Sequence, residues 1–381
     1  MLAGLGLLGC VGRLPIEGAS CPCPAAYECR DEKVCVLRGG PSTGGQPGGG
    51  GGTGGGGGTG GGGTGGGAAS PDAGGDADAA ADASACDGGA CVVAAVAFTG
   101  DLAAAVVDET GIYLAESRTL GRILHVSLGG GAVRTLASDQ PMPAGLAVDG
   151  THVYWSNSAE GSPRPGAGSV MKVGKSGGAP TTVAADLNEP RGIAVDGTHV
   201  FFATWADGTL RRIDKQGGSP AVIAASQSSP RTVAVDGTHV YWGNFGTGDV
   251  TIKKAPKEGG AVVLLADAGG SPIELALDDQ RVYWLAYGSR AVRSVAKEGG
   301  APIELAPGAD GTGPAAGSHG LAVDAGHVYW LDSFKLSRVA TAGGDATVVY
   351  TGSALAGLAV GPAALYFGQG VDVMRMDKPP P

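Results

Sequence analysis

Two arginines, one histidine and a run of aromatic residues are the side chains in this 381-residue sequence whose types and spacing could do chemistry. Arg191, Arg231 and His319 each stand just before a short apolar pattern: Gly-Ile-Ala-Val, Thr-Val-Ala-Val and Gly-Leu-Ala-Val. A guanidinium offers a planar fork that matches a carboxylate or a phosphate. Trp205, Phe245 and Tyr287 follow the next aromatic pattern in three consecutive segments. Glu116, Asn157, Asn244 and Asp332 close the same pattern elsewhere. Flat rings supply contact area and polar groups supply orientation, so this set suits a sugar, a peptide or a protein surface. The competing reading pairs each arginine with a nearby acid such as Glu189 and assigns the rings to packing.

Other chemistries find less support. Four histidines, His152, His199, His239 and His327, recur at equivalent turn positions, which points to a structural bond rather than catalysis. No nucleophile elbow is read and no Cys follows Cys91, so no catalytic residue, metal or cofactor is assigned. A net charge of −10 argues against a nucleic-acid partner. No apolar run reaches the ~18–20 residues of a membrane-spanning helix.

The elements that must position these residues are repeats. A short apolar strand, a turn and an aromatic strand return seven times: AAVVDETGIYL, GLAVDGTHVYW, GIAVDGTHVFF, TVAVDGTHVYW, ELALDDQRVYW, GLAVDAGHVYW and GLAVGPAALYF. The turns open at Asp108, Asp149, Asp196, Asp236, Asp278, Asp324 and Gly361, a spacing of 41, 47, 40, 42, 46 and 37 residues. A period near 42 with strand content predicts four-stranded propeller blades. In the second repeat the strands are read as Leu146–Val148, Val153–Trp155, Ser169–Val173 and Thr181–Ala184. Asp149-Gly150 is read as a hairpin whose Gly takes a positive φ. The seventh repeat stops before a fourth strand, and Val92–Phe98 reads as the missing one. The expectation is an all-β, seven-bladed propeller over 91–381, its last blade closed by an N-terminal strand so that no sheet edge stays open. The turn lysines Lys175, Lys215, Lys257 and Lys297 and the basic residues Lys172, Arg212, Arg338 and Arg375 are read as a solvated rim.

The VDGTHVYW core resembles the YWTD and NHL propeller families over about 290 residues. Tyr154-Trp155-Ser156-Asn157 and Tyr329-Trp330-Leu331-Asp332 come nearest to YWTD; only Asp332 keeps its terminal Asp and no repeat has its Thr. The resemblance implies a rigid scaffold, most often for binding, without fixing one function. Some propeller families are lactonases with a metal on acidic and amide side chains, and Glu116, Asn157, Asn244 and Asp332 have that composition. They stand on different blades, however, too far apart for one ion. A resemblance to streptogramin-lyase-like propellers would need an acid–base pair at the mouth, for which His319 with Asp332 is the local candidate. The third alternative is a structural or surface-display module.

The N-terminal quarter reads as an address and a tether. Leu7-Leu8-Gly9-Cys10 resembles a bacterial lipobox, so 1–9 reads as a lipoprotein-like signal segment and Cys10 as the lipidated residue. No basic residue precedes Cys10, a departure from an ordinary signal peptide. Cys21, Cys23, Cys29 and Cys35 form a small Cys-rich segment over 10–38 whose disulfide pairing is open. Cys86 and Cys91 read as a tight pair. Residues 39–67 hold 21 glycines in 29 positions, and the stretch to residue 90 adds aspartate without a basic residue. Such a segment cannot bury a core and reads as a disordered linker. Together these features predict an exported, monomeric envelope or surface lipoprotein that meets the membrane only through its lipid, or otherwise a secreted or periplasmic protein.

Overall fold

A computed structural model describes residues 27–30, 34–37, 90–95, 101–161, 166–289, 291–307 and 320–380. Every regular element among them is a β-strand. Residues 1–75 and 76–381 form two compact units. In the first, Tyr27–Arg30 pairs antiparallel with Val34–Leu37, and Cys29 stands opposite Cys35 in the register. Cys10, Cys21, Cys23 and Cys86, and the expected linker, lie outside the described residues.

The second unit is a seven-bladed propeller of four-stranded antiparallel sheets. Blade one runs Asp101–Val107, Ile112–Ser117, Gly121–Val126 and Arg134–Gln140. Blade two runs Pro143–Val148, His152–Asn157, Gly168–Gly174 and Thr181–Leu187, each strand longer than the sequence reading. Blade three spans Pro190–Val195 to Ala221–Ala224, blade four Pro230–Val235 to Val263–Asp267, and blade five Ser271–Leu277 to Ile303–Ala306. Blade six spans Leu321–Val323 to Thr347–Thr351. Blade seven has Leu355–Val360, Ala364–Gln369 and Asp372–Asp377 from the C-terminus and Ala90–Ala95 as its outer strand. That strand pairs antiparallel with Asp372–Asp377, from Ala90 opposite Met376 to Ala95 opposite Asp372. The closing strand begins two residues earlier than the expected Val92–Phe98. The first strand of each blade packs beside the first strand of the next, and that of blade seven returns to blade one.

The blades are held by what lies between them. Each of the seven apolar clusters joins two neighbours: Tyr113 and Ile123 of blade one pack with Trp155 and Val173 of blade two, and the pattern recurs around the ring. The second strand is covered on both faces, which explains why its sequence reads as a continuous apolar run rather than an alternation. Trp155, Trp242 and Trp284 are fully buried there. At ~25 cal/mol per Å2 and 150–250 Å2 per ring, each contributes roughly 4–6 kcal/mol of transfer free energy before entropy is charged.

The turn between first and second strands is closed by aspartate rather than by glycine. Oδ1 of Asp149 accepts from the N–H groups of Thr151 and His152 at 2.8 Å each, and Oδ2 accepts from the Tyr154 hydroxyl at 2.9 Å. Asp236 and Asp278 repeat the arrangement with Tyr241 and Tyr283. Gly150, Gly197 and Gly237 do not take a positive φ, and a Cβ on any of them would meet nothing within 4 Å. The expected glycine-dependent hairpin is therefore replaced by an aspartate-capped turn. The recurring histidines belong to it: Nδ1 of His152, His199 and His239 lies 2.7–2.8 Å from the preceding threonine hydroxyl.

The same aspartates reach across the seams, and here the rim reading is corrected. Lys215 of blade three pairs with Asp149 of blade two at 2.6 Å, Lys257 with Asp196 at 2.7 Å, and Lys297 with Asp236 at 3.0 Å. Lys175 pairs with Asp108, and Lys378 with Asp324 at 2.7 Å. These lysine side chains keep only 10–20% of their exposure. Those of Lys175, Lys215 and Lys297 also lie 5.4–5.8 Å from the ring centroids of Tyr113, Tyr154 and Tyr241. The third-strand basic residues join the seams too. Lys172 donates to the Lys215 carbonyl at 2.7 Å, Arg212 to that of Lys257 at 3.1 Å, and Arg338 to those of Pro379 and Pro380 at 3.1 and 2.7 Å. Arg375 pairs with Asp377 inside its own blade. A lysine ammonium that finds a carboxylate and an aromatic face in the next blade is better placed there than in solvent.

Candidate functional site

A β-bulge in the first strand positions the two arginines. The register with the second strand shifts between Pro190 and Ile193 in blade three and between Pro230 and Thr232 in blade four, leaving Arg191 and Arg231 out of the ladder. A bulge re-aims the side chain it carries. Sequence reasoning puts these residues just ahead of the strand; they stand inside it, at its irregular point. The residue before each proline takes a left-handed conformation, φ 48° at Glu189 and 50° at Ser229. Proline disfavours the right-handed helical region for the residue preceding it, and a non-glycine residue at positive φ stores strain of roughly 1 kcal/mol.

That connection also anchors the aromatic residues. The N–H of Trp205 donates to the Glu189 carbonyl at 3.0 Å and that of Phe245 to the Ser229 carbonyl at 3.1 Å. Each ring is thereby tied to the segment carrying its blade's arginine. The Arg191 guanidinium lies 4.7 Å from the Trp205 ring centroid and that of Arg231 lies 5.3 Å from Phe245. Trp205 and Phe245 are 5.2 Å apart and tilted; Phe245 and Tyr287 are 6.4 Å apart and stacked. Tyr287 ends the row with 42% of its surface exposed. Five of the expected site residues thus form one continuous arc across blades three, four and five.

Acids complete the arc. Arg191 Nη2 stands 3.0 Å from Glu160 and 3.5 Å from Glu189. Glu274, in the first strand of blade five, couples electrostatically to Arg231. Burial pushes its carboxyl up to about 7, against the opposing pull of Arg231. Burial and the neighbouring Arg191 charge lower the Arg231 pKa, while Glu274 and Glu160 counter them. Sequence reasoning missed Glu274. Its one signal was an acid where the equivalent residues of the other six blades are Ala104, Gly145, Gly192, Thr232, Gly320 and Gly357.

The remaining expected site residues are not brought into the arc. Glu116 is fully buried and pairs with Arg122 at 2.5 Å in blade one. Asn157 donates to Gln140 at 3.0 Å and Ser169 at 3.2 Å, and Asn244 donates to Gln227 at 3.3 Å and Asp249 at 3.0 Å. The same glutamines accept from the Trp155 and Trp242 indole N–H groups, so these asparagines sit in buried seam networks. Asp332 accepts from the N–H groups of Phe334 and Lys335 and closes a tight turn in blade six. His319 lies outside the described residues. No group of three or more His, Cys, Asp or Glu among the described residues is placed to hold a metal. One motif passed over in the sequence, Gly174-Lys175-Ser176-Gly177-Gly178, has nucleophile-elbow spacing. It forms a hairpin turn with Gly177 and Gly178 at φ 96° and 116°, whereas an elbow requires a strand-to-helix turn.

No family model matches the chain, and no curated protein matches it. Solved structures do. A chain from a nidogen/laminin complex is 20% identical with a TM-score of 0.50, covering 60% of this chain and 89% of that one. Virginiamycin B lyase from Staphylococcus aureus is 12% identical with a TM-score of 0.61, covering 76% of this chain and 98% of that one. A catalytically inactive variant of that lyase, with quinupristin, gives 0.62 at 12% identity, covering 76% and 99%. At these identities the likeness establishes the propeller fold alone, and that fold hosts both a binding protein and an enzyme.

Proposed function

We propose that this protein is an exported, lipid-anchored component of the cell envelope whose propeller is a non-catalytic binding module. The observation that carries the binding reading is the arc of Arg191, Trp205, Arg231, Phe245 and Tyr287 on three adjacent blades. Arginine held on aromatic faces and bordered by acids is the composition of a recognition surface. The anchor rests on Leu7-Leu8-Gly9-Cys10, and the exported location on that motif and on the even set of six remaining cysteines, with Cys86 and Cys91 as one pair. The ligand is a glycan, a peptide or a protein surface, met by a monomer.

A thermal-shift panel of glycans, peptidoglycan fragments, peptides, lactones and divalent cations tests the binding reading. A ligand at ~100 times its dissociation constant adds ~2.7 kcal/mol. Loss of the shift in an Arg191→Ala/Arg231→Ala double variant would place the ligand at the arc. A shift that persists unchanged in the variant would move binding elsewhere, and no shift with any probe would end the small-ligand reading. Metabolic labelling with a fatty-acid analogue, compared between wild type and Cys10→Ser, tests the anchor.

Glu274 favours a second reading, a lyase- or lactonase-like enzyme. A carboxyl held near 7 beside an arginine has the acidity of a general acid or base. Turnover of a lactone or cyclic depsipeptide that vanishes in Glu274→Gln would establish it over pure binding.

A further inference from the structure

The four cysteines ahead of the glycine tract have a spacing that leaves their pairing open. Cys23 and Cys29 enclose five residues, and so do Cys29 and Cys35. The entropy of closing a loop follows its length, so chain statistics favour these two pairs equally. The backbone separates them. Tyr27–Arg30 and Val34–Leu37, joined by residues 31–33, form an antiparallel hairpin within the first unit. Its register sets Tyr27 against Leu37, Glu28 against Val36, Cys29 against Cys35 and Arg30 against Val34. Residues alternate between the two faces along a strand, so Cys29 and Cys35 share a face with Tyr27 and Leu37. Directly opposed residues of an antiparallel pair have Cα atoms ~4.5–5.5 Å apart, inside the ~4.4–6.8 Å that a disulfide spans. A hairpin of two four-residue strands is marginally stable in water on its own. A covalent bridge across it would remove much of the freedom of the open chain.

We propose that Cys29 and Cys35 form a cross-strand disulfide that staples this hairpin, and that neither bonds to Cys21 or Cys23. The two thiols give up two protons and two electrons to a disulfide-bearing oxidant. One S–S bond forms in the hairpin as the oxidant's S–S bond breaks, and the oxidant leaves as two thiols. The pairing rests on the register of the two strands. Its persistence in the cell rests on the exported location proposed above, because a reducing compartment would keep the thiols free.

The test maps disulfides in the full-length protein by mass spectrometry. One sample is isolated from cells without reductant; a second is first equilibrated with oxidised and reduced glutathione. Free thiols are blocked with iodoacetamide, and both samples are digested with trypsin and chymotrypsin without reduction. Cleavage after Arg13, Tyr27, Arg30 and Lys33 puts Cys21 and Cys23 on fragment 14–27, Cys29 on fragment 28–30 and Cys35 on a fragment that starts at residue 34. The expected result in both samples is fragment 28–30 joined to the Cys35 fragment, with the joined species lost on reduction. The link should survive in Cys21→Ser/Cys23→Ser, and Cys29→Ser should leave Cys35 open to iodoacetamide. Fragment 14–27 joined to either hairpin fragment overturns the pairing. So do hairpin thiols that stay free in the glutathione sample, or that react only after a chelator removes a metal. A link found in the glutathione sample and missing in the cellular one upholds the pairing and counts against the exported location.

Discussion

Replacing Lys215 by methionine removes one half of a seam clasp and leaves the other half in place. Asp149 then loses an ammonium at 2.6 Å but keeps the N–H groups of Thr151 and His152 and the Tyr154 hydroxyl. Breaking a fully buried pair costs ~3–5 kcal/mol. This one is partly shielded, with 10% and 21% of side-chain exposure on Lys215 and Asp149, and the carboxylate retains three donors. The loss scales to about 1.5–3 kcal/mol. Methionine keeps the apolar stem against Tyr154, so packing changes little. At ~2 °C per kcal/mol for a domain of this size, calorimetry should show a melting point lower by roughly 3–6 °C. The loss should largely persist in 1 M salt, unlike that of an exposed pair. Asp149→Asn should cost about 1 kcal/mol less in the Lys215→Met background than alone, because the two residues are coupled. The chain contains its own control. At the seam between blades seven and one both charges are gone: Gly361 stands in the aspartate position, Leu128 in the lysine position, and Leu128 packs into the apolar cluster there. A Lys215→Met change below about 0.5 kcal/mol would show that the clasps are ordinary surface pairs and refute the reasoning.

Other expectations follow from the same geometry. Thr341 occupies the lysine position opposite Asp278, its N–H bonding Gly326 as that of Lys215 bonds Thr198; Thr341→Lys should raise the melting point by about 1–3 °C by supplying the missing clasp. Burial alone would raise the carboxyls of Asp149 and Asp196, yet their lysines and backbone N–H groups hold both well below the usual range, as the backbone N–H groups and lysine do for Asp236. Their stabilisation should therefore be complete above about pH 4 and drain away below it in acid melts, less steeply in Lys215→Met. Glu274 has the opposite sign: its folded pKa, about 7, lies above the unfolded value of ~4.3, so stability should fall as pH rises between them, by about 1–3 kcal/mol. Glu274→Gln should flatten that slope in melts from pH 5 to 8. A chain beginning at residue 101 lacks the outer strand of blade seven and exposes the edge of Asp372–Asp377; light scattering should show aggregation that a chain beginning at residue 76 does not show.

Fold and site differ in how far they could be read from residues alone. The blades were legible because a first strand, a turn and a second strand are local in sequence and are repeated seven times. The closing strand was legible as a deficit, three strands at one end and one spare at the other. Arg191 with Trp205 and Arg231 with Phe245 were legible as a sector because each pair belongs to one repeat. The clasps were not: Lys215 and Asp149 are 66 residues apart and Lys257 and Asp196 are 61 apart, and a recurrent lysine after a strand looks like solvated rim. Glu274 was hidden for another reason. A single acid in a strand says nothing of its surroundings, and its acidity depends on burial and on an arginine from the neighbouring blade.

The sequence by itself determined the number of blades and the strand order within each repeat, since these depend on contacts within about forty residues; that aspartate and not glycine closes the turns came from the structure. Only the tertiary structure decided which charges are paired and which residues form a surface. Those outcomes depend on how neighbouring blades close over one another: the same lysine is a solvated charge on an isolated blade and a buried clasp in the ring.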